Sequence, residues 1–202
     1  MNTKLKETIQ ALPKTVNAKR QALLKPLVAY LQKNIERNES IRLNFICAHN
    51  SRRSHLSQVW AQTMAFYFGI KNIFCHSGGT EATAVFPEVI ETLIHQGFQI
   101  QKLSETSNPT YAVKYDSNEA PVICFSKTYN DNFNPKNTFG AIMTCNSADE
   151  ACPVVLGAQT RFPIQYDDPK IFDGTALQSE KYAERSLEIA NEMFCVFDAV
   201  SK

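Results

Sequence analysis

The sequence predicts an α/β protein with a central four-stranded parallel sheet and helices flanking it. Strand-like and helix-like runs alternate over most of the chain, the pattern that parallel βαβ units produce. The composition is 44% hydrophobic and 20% charged over 202 residues, which is typical of a globular domain with an ordinary core.

The elements follow in a regular order. The strand-like runs are 41–46, 72–76, 139–144 and 161–166, and the helix-like runs are 54–69, 85–96 and 178–197. Residues 104–137 fit this alternation poorly. There, YAVKY and PVICFS flank the turn-forming DSNEA, and this pattern predicts a hairpin insertion.

The first 40 residues differ from the rest and predict an N-terminal helical extension, 1–40, ahead of a domain at 41–202 that carries the candidate site. Leu23, Leu27 and Leu31 recur at helical spacing on one face, together with Tyr30 and Ile35. Such a face suits an arm packed on the main domain or, alternatively, a helix that binds a partner.

Charge and hydropathy exclude several function classes. A net charge of +1 argues against general electrostatic binding to nucleic acid or to an acidic membrane. No apolar run is long enough to span a bilayer, and the start MNTKLKETIQ lacks the apolar segment of an export signal. We therefore expect a cytoplasmic protein whose six cysteines are reduced thiols rather than a disulfide framework.

The most informative stretch is a Cys-x5-Arg loop between a strand-like run and a helix-like run. Cys47 opens the loop and Arg53 closes it. The backbone amides between them can curl into a nest at a helix N-terminus, which favours a bound tetrahedral anion. Arg53 can bind two oxygens of that anion at once. A thiolate in such a positive field is a good nucleophile, so Cys47 is the candidate for covalent catalysis.

Two later motifs could complete a site. Cys145 ends a strand-like run and Cys152 follows seven residues later, so the pair could form a disulfide or could be two structural cysteines. Asp168, fixed by the following Pro169, could act as a general acid, although Asp-Pro is also a common turn. We expect no metal site, because His49, His55, His76 and His95 are scattered along the chain.

In this order the three motifs resemble the low-molecular-weight protein tyrosine phosphatase superfamily, and most of all its thioredoxin-coupled arsenate reductases. Their loop reads Cys-x-Gly-Asn-Ser-Cys-Arg-Ser, where this chain has CAHNSRRS from Cys47 to Ser54. The paired cysteines match in spacing and in the Pro after the second. The sequence YDDP at 166–169 resembles the family's Phe-Asp-Asp-Pro. The resemblance covers about residues 41–197, with 104–137 diverged.

The resemblance implies a thiolate relay that needs no cofactor. Cys47 would attack arsenate and Asp168 would protonate the leaving hydroxide. Cys145 would attack the adduct, releasing arsenite, and Cys152 would resolve the resulting disulfide for thioredoxin to reduce. Ser54 would steady the thiolate and Asn50 would shape the loop. The implied oxyanion ligands are Ala48, His49, Asn50, Ser51, Arg52, Arg53 and Ser54.

This chain departs from the reductase loop at three positions. His49 replaces a Gly, so we expect a left-handed backbone there, which His tolerates better than most residues. Arg52 replaces a Cys and adds a charge, and His55 replaces a Gln. These departures bear on substrate preference.

Two alternatives remain open. A phosphatase would use Cys47, Arg53 and Asp168 to form and hydrolyse a phosphocysteine. Phosphatases of this fold commonly have tyrosines after Asp-Pro that wall an aromatic slot, whereas here only Phe172 could do so. A non-catalytic module that binds an oxyanion or senses redox state would have a reactive Cys47 that does not turn over.

Overall fold

The computed structural model describes residues 1–151 and 154–200. Four strands form a parallel sheet in the order β2-β1-β6-β7, which confirms the predicted α/β class. The strands of this sheet are β1 (Ile41–Cys47), β2 (Ile73–Gly79), β6 (Phe139–Met143) and β7 (Ala158–Phe162). The helices are α1 (Thr3–Gln10), α2 (Ala18–Glu36), α3 (Arg53–Tyr67), α4 (Pro87–His95), α5 (Asn146–Ala151) and α6 (Gln178–Asp198).

The last strand begins and ends earlier than the sequence predicts. The prediction placed it at 161–166, whereas β7 ends at Phe162. Pro163 follows at once and has no N–H to donate to a sheet. The apolar residues Ile164 and Tyr166, which suggested a longer strand, are buried in the segment after it.

The insertion forms a second, antiparallel sheet. β4 (Tyr111–Lys114) pairs with β5 (Val122–Cys124), which confirms the predicted hairpin. β3 (Gln99–Lys102) adds a third strand to β4. Sequence patterns missed β3 because its four residues are largely exposed and contain one apolar side chain.

Two helices, α1 (Thr3–Gln10) and α2 (Ala18–Glu36), precede the main sheet. Leu5, Ile9, Leu27 and Leu31 are fully buried in the same core as the helices α3, α4 and α6. The N-terminal helices are therefore part of the main packing. The domain boundary at residue 40 stays a prediction.

The sheet is covered on both faces, because successive strand residues point to opposite sides. On β6, Ile142 faces the large core, while Phe139, Ala141 and Met143 face a smaller one that includes Ala148 of α5. The carboxyl ends of the parallel strands consequently form a crevice between covered faces, where ligands of such folds bind.

β2 is an edge strand, and side chains of α3 cover its free edge. Gln62 accepts from the Cys75 N–H at 3.0 Å and donates to the Ile73 carbonyl at 3.1 Å, as a neighbouring strand would. Gln58, one turn earlier, donates to the Cys75 carbonyl at 3.1 Å. These amides satisfy backbone groups that would otherwise invite pairing with another chain.

In the part of the chain that the structure describes, we find no helix that combines the length and the apolar character needed to cross a bilayer.

Candidate active site

The thiol of Cys47 lies where β1 ends and the loop begins. Its side chain is buried at 4% exposure, and Sγ lies 3.0 Å from the hydroxyl oxygen of Ser54 in the first turn of α3. Because a thiolate can only accept, the Ser54 hydroxyl donates to Cys47 once it ionises. The structure thus places Ser54 where the sequence-based hypothesis needs it.

The loop backbone turns its carbonyl groups outward. The carbonyls of residues 47–51 all accept hydrogen bonds from surrounding segments. The donors, in order, are Thr80 N–H, Glu81 N–H, Ser126 Oγ, His55 Nε2 and Phe86 N–H. By contrast, the amides of residues 49–53 donate to no acceptor within the described residues. Carbonyl groups that point outward, together with amides that are left to bind a ligand, form the arrangement of an anion-binding nest.

Asn50 makes the tight turn in this loop. Its φ is 44°, in the left-handed region that Asn tolerates better than most residues. Its side-chain amide donates to Ser54 Oγ at 2.9 Å, and its Oδ1 accepts from the Lys127 N–H at 2.9 Å. His49 is not among the residues with positive φ. The expectation that His49 takes the left-handed conformation was therefore wrong, because the turn falls one residue later.

The end of β2 supports the loop at very short range. A Cβ on Gly79 would lie 2.7 Å from both the Ala48 carbonyl oxygen and the Asn50 nitrogen. Only glycine permits this approach. Sequence reasoning missed Gly79, since the contact joins segments that are far apart in the chain.

His55 supports the loop as a neutral imidazole that contacts the loop backbone. It is fully buried, with Nε2 2.9 Å from the Asn50 carbonyl oxygen and Nδ1 3.2 Å from Ser77 Oγ. A carbonyl can only accept, so Nε2 carries the proton and Nδ1 accepts from Ser77. Burial, together with the charge of Lys127, lowers the pKa of His55 to about 3.

This shift predicts a pH dependence of stability. Because the folded-state pKa of His55 lies below its unfolded value, the unfolded chain takes up the proton first as the pH falls. Stability should therefore be lost below about pH 6.5, with His55 contributing about 2 kcal/mol of loss by about pH 5. His76, whose pKa burial lowers to about 4, adds a loss of the same sign.

Denaturant titrations should show that His55→Gln loses less free energy of unfolding than the wild type as the pH falls. A glutamine amide can make both hydrogen bonds without titrating. His95→Gln, at an exposed position on α4, is the matched control and should behave as the wild type. Equal pH slopes in His55→Gln and the wild type would contradict the assignment.

Arg53 and Asp168 meet at the mouth of the loop. The Arg53 guanidinium donates to the Tyr166 carbonyl at 2.8 Å and forms an ion pair with Asp168. Asp168 also accepts from the Lys170 N–H at 3.1 Å, which caps the 3₁₀ helix Pro169–Phe172. The neighbouring Asp167 is 96% exposed and lies 3.6 Å from Arg185 instead. Of the two adjacent acids, Asp168 is the one the structure brings to the loop.

The side chain of Arg52 points away from the loop amides. It pairs with Asp173 at 2.5 Å, donates to the Tyr182 hydroxyl, and lies 4.1 Å from the Phe86 ring centroid. Its charge is thus neutralised by a carboxylate rather than added to the oxyanion site. If Arg52 binds the oxyanion as predicted, it does so through its backbone amide and not through its side chain.

Cys145 lies beside the loop at the end of β6. Its thiol is 2% exposed and packs in the same small cluster as Cys47. Burial raises the pKa of Cys145, while the Ala148 amide and the nearby charge of Arg53 act in the opposite direction. The structure therefore brings Cys47, Arg53 and Cys145 together. Cys152 lies outside the described residues.

The insertion contributes contacts that the sequence did not indicate. Ser126 donates to the His49 carbonyl at 2.9 Å and accepts from the Thr83 N–H at 2.7 Å. Lys127 is 2% exposed, with its ammonium 4.4 Å from the Phe125 ring centroid. Burial lowers the pKa of Lys127 to about 8. No local pattern marks a lysine whose backbone, rather than its charge, holds the loop.

Among the described residues, no cluster of three or more His, Cys, Asp or Glu side chains could hold a metal ion.

Comparison with solved structures finds this fold in low-molecular-weight phosphotyrosine phosphatases. One from Vibrio cholerae O395 is 13% identical and has a TM-score of 0.53, covering 78% of this chain and 95% of its own. One from T. tengcongensis is 16% identical and has a TM-score of 0.53, with 79% and 99% covered. An arsenate reductase in the phosphate-binding state is 18% identical and has a TM-score of 0.49, with 80% and 99% covered.

No family model and no curated protein matches the sequence. At these identities the solved structures establish the fold alone, and it is the fold that the resemblance implied.

Proposed function

We propose that this protein reduces arsenate to arsenite by a relay of thiols, from Cys47 to Cys145 to Cys152. The observation that carries the proposal is the position of Cys145. This second thiol lies in the same cluster as Cys47, and the charges of Cys47 and Arg53 both act on its pKa. Ester hydrolysis has no use for a second thiol, whereas reduction needs one.

In the first step the Cys47 thiolate attacks the arsenic of arsenate, and hydroxide leaves as water with a proton from Asp168. The free amides of residues 49–53 and the guanidinium of Arg53 stabilise the negative charge of the oxyanion. Arg53 must exchange part of its contact with Asp168 for the substrate, which places the acid next to the leaving oxygen.

In the second step the Cys145 thiolate attacks the Cys47 sulfur. A Cys47–Cys145 disulfide forms, and the arsenic leaves with the electron pair of the sulfur–arsenic bond as arsenite. Cys152 then attacks Cys145, which frees Cys47 and leaves a Cys145–Cys152 disulfide. Thioredoxin, in the cytoplasm, supplies the two electrons that return both thiols.

This second half of the cycle requires α5 to move. The helix fills the connector 146–151, and a helix of this length spans about 9 Å. Disulfides join Cα atoms no more than about 7 Å apart. The helix has six residues, and the Asp149 carboxylate pairs with Arg161 and accepts from Gln165 at 2.8 Å, contacts that such a movement would disturb. Bending or unwinding of α5 is therefore part of the proposed cycle.

Phosphate monoester hydrolysis is the second candidate, because the structures that match with TM-scores above 0.5 include phosphatases. It would need only Cys47, Arg53 and Asp168. Phe172, the candidate wall of an aromatic slot, is partly exposed and lies 5.7 Å from the Lys181 ammonium to its ring centroid.

The deciding experiment compares arsenate reduction, coupled to thioredoxin and its reductase, with hydrolysis of an aryl phosphate by the same preparation. Multiple turnovers of arsenate with only slow ester cleavage would support the reductase. The opposite result would establish the phosphatase. Stoichiometric labelling of Cys47 by iodoacetate, blocked by phosphate and without turnover of either substrate, would instead indicate a binding or sensing module.

Replacing Arg53 with lysine should lower kcat/KM for either substrate by about a hundredfold or more. Lysine keeps the charge but loses the planar fork that binds two oxygens at fixed geometry. Steady-state kinetics measure the loss. Arg185→Lys, which alters the guanidinium near Asp167, is the control and should keep nearly full activity. Turnover by Arg53→Lys near that of the control would remove Arg53 from the oxyanion site.

A further inference from the structure

An arginine of the N-terminal helices reaches the segment that carries the general acid. We infer that Arg20, on α2, is a positioning residue for Asp168, so that the N-terminal helices are a working part of the active site. The inference rests on the proposed chemistry at Cys47 and Asp168, in either its reductase or its phosphatase form.

The Arg20 guanidinium contacts the acid-bearing segment in two ways. Its Nη1 donates to the Gln165 carbonyl at 3.1 Å, and its central carbon lies 5.1 Å from the Tyr166 ring centroid. The ring is buried at 6% exposure, so this contact fixes the side chain that precedes the two aspartates. Arg20 therefore holds residues 165–166 by both backbone and side chain.

Glu192 on α6 fixes the orientation of Arg20. The pair is bidentate, with Nε and Nη2 of Arg20 donating to the two carboxylate oxygens, the second at 2.7 Å. Glu192 is only 2% exposed. Burial by itself lowers the pKa of Arg20, but the contact with Glu192 raises it. The pKa is raised overall, so the guanidinium stays charged. Because separation would leave a buried carboxylate unpaired, the two side chains stay together.

Tyr166 links Arg20 to the reacting groups. Its carbonyl accepts from Arg53, and its N–H bonds the Thr144 carbonyl at 3.1 Å at the end of β6. Asp168 follows two residues later and pairs with the same Arg53. Two residues span at most about 7 Å, so a shift of Tyr166 passes directly to the Asp168 carboxyl and to the Arg53 guanidinium.

A second arginine contacts this segment, but at an exposed position. Arg185 lies 3.6 Å from Asp167, whose side chain is 96% exposed. Exposed pairs of this kind hold geometry weakly. Arg20 is only partly exposed and pairs with a buried carboxylate, and it acts on Asp168 through Tyr166 without touching the substrate.

If Arg20 positions the Asp168 carboxyl, removing Arg20 has a kinetic signature that a general loss of protein stability lacks. Loss of acid catalysis slows esters whose leaving group needs a proton and spares those whose leaving group departs as an anion. We therefore compare phenyl phosphate, with a basic leaving group, and p-nitrophenyl phosphate, with a stable anion. The measured quantity is kcat/KM, which reports the step that forms the phosphocysteine.

The test variant is Arg20→Met combined with Glu192→Gln, which removes both charges and leaves neither orphaned. Its ratio of kcat/KM for p-nitrophenyl phosphate to that for phenyl phosphate should rise about tenfold or more, in the direction of Asp168→Asn. Arg20→Lys keeps the charge but loses the fork, so its ratio should rise less. If the double variant does not fold, the substrate ratio of Arg20→Lys tests the inference, and a ratio equal to that of the wild type then contradicts it.

Tyr30→Phe is the matched control. It also removes a hydrogen bond from α2 to the domain, to Gln159 at 2.8 Å, but at a site remote from Asp168 in the hydrogen-bond network. Its substrate ratio should equal that of the wild type. A folded double variant with the wild-type ratio, or a Tyr30→Phe ratio that rises as much, overturns the inference and leaves the proposed function standing. A wild type inactive on both esters and on arsenate overturns the proposed function, and this inference with it.

Discussion

Replacing Cys47 with serine is expected to abolish arsenate reduction and ester cleavage alike, by about ten-thousandfold or more. The Ser54 hydroxyl and the free loop amides stabilise a thiolate, but they supply no base that could deprotonate a serine hydroxyl. Sulfur is also the atom that must be oxidised in the relay, and oxygen cannot take that role.

Kinetics with both substrates measure this effect, and two controls define its meaning. Titration of the Cys47→Ser protein with phosphate should still show binding, because the loop amides and Arg53 remain in place. Cys195→Ser changes a half-buried thiol on α6 outside the site and should leave turnover unchanged. A Cys47→Ser protein as active as Cys195→Ser would remove the whole scheme.

The sequence predicted the elements whose patterns are local. β1, the loop after it and α3 follow from an apolar strand, a Cys-x5-Arg spacing and apolar residues at helical spacing. Asp168 was found because Asp-Pro marks a rigid turn. In each of these cases the residues that define the feature lie within a few positions of one another.

Contacts between distant segments were beyond such patterns. Asn50 takes the turn that the family motif suggested for His49, because the Lys127 amide and Ser54 hold its side chain. Arg52 reads in sequence as a charge beside the site, yet Asp173 and Tyr182 draw its side chain elsewhere. Such partners are set by tertiary packing, which no single segment encodes.

The role of residues 1–40 shows the same division. Apolar spacing predicted helices packed on the domain, and the burial of Leu27 and Leu31 agrees with that packing. The contact of Arg20 with Gln165 could not be read from the chain, because 145 positions separate the two residues. One charged side chain among many solvated lysines carries no local signal of a buried partner.

The two relay cysteines should separate reduction from hydrolysis. Cys145→Ser and Cys152→Ser are each expected to stop multiple turnovers of arsenate, while slow cleavage of p-nitrophenyl phosphate continues. Hydrolysis needs a nucleophile, an oxyanion site and an acid, whereas reduction also needs a thiol pair through which electrons leave the site. Cys75→Ser is the control, since its thiol is buried on β2 and has no part in the relay.

Peptide mapping after one arsenate turnover without reductant shows which sulfurs have reacted. The wild type should contain a Cys145–Cys152 disulfide, because the second exchange frees Cys47 for the next cycle. Cys152→Ser should instead trap the Cys47–Cys145 disulfide, since no thiol remains to resolve it. Both sulfurs of the trapped species belong to one buried cluster. The wild-type disulfide requires α5 to rearrange, which loss of amide protection in 146–151 on oxidation would reveal. If all six thiols stay free after arsenate treatment, the relay does not operate, and Cys47 with Arg53 and Asp168 is left as a phosphatase site.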